Sequence, residues 1–206
     1  MKNFLIIFII SLSFNCVAQY PILNDSIKNP GIYKNFNEFK NNQPSLELKY
    51  TIKLKGETIF GSWGKEKINF YALDISKEDS KKIGEIFGFS DGVNFYVINN
   101  KDNESPYELS HKFVFYKLIS LTKYPYLEIL INSTYRLNQN GGIFIPGSAA
   151  RIDLAVLFFE TGDMKVLTKS VLKEILADKP ELLEKFKKQE NKNAYLKQYL
   201  IEYLKN

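Results

Sequence analysis

From Leu46 to Leu54 the chain alternates apolar and polar residues without a break, with Leu46, Leu48, Tyr50, Ile52 and Leu54 set against Glu47, Lys49, Thr51 and Lys53. A period of two puts one set on a buried face, so this stretch predicts a half-buried β-strand. Upstream, Asn29-Pro30-Gly31 marks a turn, Asn35 is placed to cap a short helix carrying Phe36 and Phe39, and Pro44 is expected to stop it. Downstream, further strands are predicted over 68–75, 82–89, 93–98, 113–121, 126–135 and 152–160. Asp91-Gly92 between two apolar runs predicts a hairpin with a type I′ turn, which needs positive φ at both central residues. Thr161-Gly162-Asp163 predicts another, returning the chain through Lys165 to Leu167. Short strands joined by tight turns favour an antiparallel meander over parallel βαβ units.

After Leu167 the apolar period lengthens to that of a helix. Val171, Leu172, Ile175 and Leu176 share one face. Asp178 followed by Pro180 and Glu181 reads as a cap and restart, and Leu182, Leu183 and Phe186 line the second helix. Tyr195, Tyr199 and Tyr203 recur beside Leu196, Leu200 and Leu204 on a third, a stripe expected to pack on the protein's own sheet. The fold class read from these periods is α+β: one globular domain over 19–206, β-rich over 46–167 and helical over 168–206. Its sheet is a mainly antiparallel meander, folded as a sandwich or a partly closed barrel, with C-terminal helices packed on it.

Ahead of that domain, Lys2 is followed by an apolar run from Phe4 to Leu12 broken only by Ser11, and then by Cys16-Val17-Ala18. A run this short falls below the roughly 20 residues that cross a bilayer, and small residues at Cys16 and Ala18 suit a signal peptidase. The pattern predicts a signal peptide over 1–18 and an exported protein, periplasmic or extracellular, with no transmembrane segment in the mature chain. The alternative is a lipoprotein tether through Cys16. Asn15 and Ser13 stand where such signals usually carry a small residue and a leucine, which favours cleavage after Ala18. Cys16 is the sole cysteine, so the mature chain is expected to hold together with no disulfide.

Three stretches resemble a known pattern: the segment from Pro30 to Asn42 (PGIYKNFNEFKNN) with Pro44-Ser45, the segment from Ile86 to Val97, and Glu160-Thr161-Gly162 with the later Pro180-Glu181-Leu182 helix. Together with the leader they resemble an uncharacterised secreted-protein family of Bacteroidota, a domain of unknown function. The resemblance implies a bacterial envelope protein. It carries no catalytic or binding residue onto this sequence.

Composition is that of a globular chain, 45 % hydrophobic and 25 % charged. The net charge of +5 prompts a nucleic-acid reading, but residues 19–164 hold 17 basic and 17 acidic side chains, and residues 165–206 hold 10 and 6. The surplus is a solvated helix face, not a basic stripe, and no nucleic-acid partner is expected.

Candidate chemistry is sparse. His111 is the only histidine, so multi-histidine metal sites and Cys/His pairs cannot be assembled, and a Ser-His-Asp triad would have to be built on that one residue. Asp74, Glu78, Asp79, Glu85 and Asp91 cluster in sequence, yet lysines 77, 81 and 82 interleave with them as in an ordinary mixed-charge turn. Asp102, Asn103 and Glu104 lack calcium-loop spacing. No catalytic residue, metal or cofactor is assigned, and no enzyme is expected. Arg151, one of two arginines, and Asp153 fall on one face of a strand, with Ile152, Leu154, Val156 and Phe158 on the other. Trp63 lies in a glycine-flanked turn. Trp63, Arg151 and Asp153 are therefore the candidate contacts for a ligand or partner. The function expected first is a non-catalytic binding or interaction domain for an envelope protein or glycan. Alternatives are a lipocalin-like carrier of a small apolar ligand and a carboxylate-dependent hydrolase.

Overall fold

The computed structural model describes residues 20–24, 28–61, 64–98, 114–133 and 149–205. In chain order the elements are α1 (Pro21–Asn24), β1 (Gly31–Tyr33), α2 (Phe36–Lys40), β2 (Ile52–Gly61), β3 (Gly64–Leu73), α3 (Lys77–Ile83), β4 (Gly88–Ser90) and β5 (Phe95–Ile98). They continue with β6 (Phe115–Lys117), β7 (Tyr126–Ser133), β8 (Ala149–Leu157), β9 (Met164–Val166), α4 (Lys169–Ile175), α5 (Pro180–Lys188) and α6 (Leu196–Lys205). Six strands form one sheet in the order β1-β4-β5-β6-β3-β2, and β7-β8-β9 form a second. Every pairing is antiparallel. The chain meanders through β4-β5-β6 and β7-β8-β9, while the β2–β3 hairpin joins β6 through one register pair, Tyr71 opposite Phe115. The α+β class holds, and the two sheets do not close into a barrel.

Strand alternation sorts the interior into three clusters. Ile68 and Phe70 of β3, Phe95 and Val97 of β5, Tyr116 of β6, Leu127 and Ile129 of β7, and Ala155 and Leu157 of β8 meet between the sheets. On the far side of the large sheet Ile32, Phe89, Tyr96, Ile98 and Phe115 are covered by Leu46, Leu48, Tyr50, Ile83 and Ile86. On the far side of the small sheet Tyr126, Val156 and Leu167 meet Leu172, Ile175, Leu176, Phe186, Leu200 and Tyr203 from the helices. Each sheet thus buries apolar side chains on both of its faces, and each buried Phe, Leu or Ile contributes about 1.5–3 kcal/mol.

Local chemistry explains several boundaries. The Asn35 side chain accepts from Glu38 N at 2.9 Å and starts α2. Ser76 and Thr168 cap α3 and α4 in the same way, at 3.0 and 3.3 Å. Four expectations change. The helix after Asn35 ends at Lys40, before Pro44: Asn42 turns left-handed (φ 53°) and its N–H donates to Phe39 O at 2.9 Å. The alternation from Leu46 is real but only Leu46 bridges a neighbour, Ile32, and the hydrogen-bonded strand begins at Ile52. Leu54 is 63 % exposed on β2, which stands at the end of the large sheet's strand order.

The strand expected over 82–89 is instead the end of α3, a Gly84 stop (φ 74°) and the short β4, because the Ser76 cap outweighs a brief apolar alternation. The hairpin at Asp91-Gly92 forms, but positive φ occurs at Gly92 alone (89°), so a type I′ turn is ruled out. The hairpin at Thr161-Gly162 returns as expected, with Gly162 N donating to Phe158 O at 2.8 Å.

Candidate functional site

The β2–β3 hairpin ends at Gly61 opposite Gly64, which puts Ser62 and Trp63 in its connection. Trp63, like His111, Cys16, Asp102-Asn103-Glu104 and the segment 1–19, lies outside the described residues. Arg151 occupies β8 opposite Ile131, and its backbone position is all that is described. Asp153 pairs with Ile129 and stands on the row that continues through Ala155 and Leu157 into the inter-sheet core. It is half-buried at the rim of that core.

Asp153 opens into a groove of about 480 Å³ with Lys67 from β3, Glu128 from β7, and Asn193 and Lys197 from the helical region, over an apolar floor that includes Leu154 and Leu196. Lys197 Nζ reaches Glu128 Oε1 at 2.9 Å and ties α6 to the small sheet. Two carboxylates and two ammonium groups thus share one charge-balanced groove. Glu128 lies opposite Leu154 on the helix-covered face, whereas Asp153 lies on the inner face. Two further grooves, of about 530 and 510 Å³, run along α5 and α6 between Lys179, Lys185, Lys197 and Lys205 and the acids Glu181 and Glu202.

The acids singled out in sequence are dispersed. Asp74 pairs with Lys53 at 2.7 Å, and Asp79 with Lys82 at 3.5 Å. Asp91 builds the β4–β5 turn: Oδ1 accepts from Val93 N (2.8 Å) and Asn94 N (2.6 Å), and Oδ2 from the Tyr96 hydroxyl (2.9 Å). Burial raises its pKa, but these donors outweigh burial and hold the carboxyl below the usual range. Burial, aided by the Asp91 carboxylate, pushes the Tyr96 hydroxyl up to about 12. Asp178, expected to cap a helix, accepts instead from Tyr203 (2.9 Å) and Lys123 (3.2 Å), and α5 starts from Lys179 with no side-chain cap. Burial raises the Asp178 carboxyl, and those two donors bring it below its ordinary value. Among the described residues no group of three or more His, Cys, Asp or Glu is placed to hold a metal ion, and no helix is long and apolar enough to cross a membrane.

The groove residues Lys67, Glu128 and Lys197 carried no local signal, since Lys197 and Glu128 are 69 positions apart. A second convergence was equally hidden. Tyr33 donates to Asn29 O (2.8 Å) and Asn42 Oδ1 (3.1 Å), and Asn29 N donates to Asn42 Oδ1 (3.0 Å). Phe36 and Phe39 of α2 stack on Phe87 at 5.6 and 5.2 Å, and on Phe159 at 5.8 and 6.0 Å. A Cβ on Gly162 would lie 2.5 Å from Phe36 Cδ1. The stretches around 30–42, 86–97 and 160–162 therefore meet at one end of the inter-sheet core, and the side chains that meet there pack the fold together.

No curated protein and no solved structure matches the chain. Residues 31–206 match a family model described as "Family of unknown function (DUF6563)", so a sheet sandwich knotted together by these stretches, with a groove beside α6, is what one member looks like: the chain belongs to that family.

Proposed function

We propose that the protein is exported from a bacterial cell of the Bacteroidota and works in the periplasm or outside the cell as a non-catalytic binding domain for an envelope protein or glycan. The leader pattern over 1–18 supports the export, and the matched family region, starting at residue 31, leaves that leader outside it. The observation that carries the binding reading is where open space lies. Among the described residues, side chains such as Phe39, Phe95, Leu127 and Phe159 pack between the sheets, and the described grooves lie on the outside, against α5 and α6. Charge-lined outer grooves fit a partner laid across the surface.

The test is site-specific photo-crosslinking of the full chain, expressed with its leader. A benzophenone amino acid at Asn193, in the groove, is expected to give a discrete adduct in the envelope fraction, and the same probe at Lys81 on α3 none. Equal labelling at both positions, or a protein retained in the cytoplasm with its leader intact, overturns the proposal.

A further inference from the structure

The groove beside α6 has an unevenly satisfied lining. Glu128 is matched to Lys197 at 2.9 Å, and Asp153 is engaged as well. Lys67 is exposed at the groove and has no hydrogen-bond or ion-pair partner among the described residues. Its stem is held in place, because it lies across β2 at Gly56, where a Cβ would come within 3.2 Å of Lys67 Cε. The charge left over in the groove is therefore one positioned ammonium, and an anionic group on the occupant complements it.

The rest of the lining narrows the kind of anion. Ile152, Leu154 and Leu196 are half-buried and Leu167 is buried, so the floor is aliphatic. No aromatic side chain lines the groove among the described residues, so the flat face on which a sugar ring stacks is missing from them. Asn193, exposed at the groove, carries a donor and an acceptor on one amide, which match the C=O and N–H groups of a peptide backbone. An extended peptide answers all three features at once. Its side chains alternate in direction, so aliphatic ones reach the floor while an acid between them reaches Lys67.

We infer that this groove takes an acidic, aliphatic peptide segment of a partner protein, with an aspartate or glutamate at Lys67 and leucine, isoleucine or valine on the floor. The inference deepens the binding reading above and rests on it, and the test separates the two. Random peptides displayed on their encoding messenger RNA are selected on the full chain, expressed with its leader in an exporting bacterial host. The enriched sequences are expected to carry an acid between aliphatic residues. The strongest of them, labelled for fluorescence anisotropy, should bind Lys67→Gln about fivefold more weakly, and bind the parent about equally weakly once its acid is replaced by the amide. Both changes together should cost no more than either alone, and Lys67→Arg should stay within about twofold of the parent. Lys67 is exposed, so both variants should keep the parent's melting temperature. Enriched peptides without acids, an acid indifferent to Lys67→Gln, or no enrichment at all overturns the inference. In each of those cases an Asn193 crosslink to an envelope component, a glycan included, leaves the binding reading standing, and absence of that crosslink removes both.

Discussion

Replacing Asn42 tests whether the segment after α2 is a structural clasp. Asn42 is 2 % exposed and left-handed at φ 53°, a region that asparagine enters more readily than residues without a short polar side chain. Its Oδ1 accepts from Asn29 N at 3.0 Å and from the Tyr33 hydroxyl at 3.1 Å. Asn42→Ala removes both acceptor contacts, each worth about 0.5–1.5 kcal/mol net. It also forces a Cβ-bearing residue without a compensating polar group into the left-handed region, at about 1 kcal/mol. Tyr33 keeps Asn29 O as an acceptor at 2.8 Å, which limits the loss. The expected destabilisation is about 2–4 kcal/mol, or about 5–15 °C in melting temperature for a domain of this size. Asn42→Gly loses the same hydrogen bonds but relieves the backbone, so it should be the milder variant by about 1 kcal/mol. Urea and thermal melts followed by circular dichroism measure both. An Asn42→Ala protein within about 0.5 kcal/mol of the parent refutes the clasp, and equal losses for the two variants refute the backbone part of the reasoning.

Leu200→Ala should cost about 2–5 kcal/mol in denaturant melts, because Leu200 is fully buried where α6 meets the small sheet; an unchanged midpoint would mean the helices are not docked. Gly162→Ala combines a φ of 82° with a Cβ 2.5 Å from Phe36, so it should lower the melting temperature measurably, and Phe36→Leu in the same chain should recover part of the loss. Asp91→Ala should cost about 1–2 kcal/mol near neutral pH, by loss of a side-chain acceptor for two backbone N–H groups. The folded Asp91 carboxyl titrates below its unfolded value of about 3.9. Its contribution is therefore present above that value and lost as pH falls through the folded one. The gap between parent and variant should close on acidification, and a gap that widens toward low pH would contradict the assignment.

Periodicity and capping chemistry made much of the fold legible. Asn35 announced α2, and the four-residue recurrence of Tyr195, Tyr199 and Tyr203 announced a buried helix face that holds for Tyr199 and Tyr203 on α6, whereas Tyr195 falls before the helix and is exposed. What misled were short windows in which two local rules compete. The span 82–89 was read as one strand, but the helix that Ser76 caps takes Lys82 and Ile83, Gly84 ends it, and only Gly88 and Phe89 join β4. Pairing partners were out of reach for another reason. Joining β3 to β6, or Lys197 to Glu128, closes loops of tens of residues, and the stabilisation comes from contacts no window spans. Of the candidate site, Asp153 was visible, with Arg151, as a charged position on a largely apolar strand. The lysines and Glu128 that share its groove are ordinary surface residues until the sheets bring them together.

The meeting of Phe36, Phe87, Phe159 and Gly162 bears on what a likeness to this chain signifies. These side chains act as a keystone, wedged where three separated lengths of polypeptide lean on one another, with Phe159 sealed away at its centre. Kinship traced through such residues certifies an architecture. It says nothing of what the outer grooves meet.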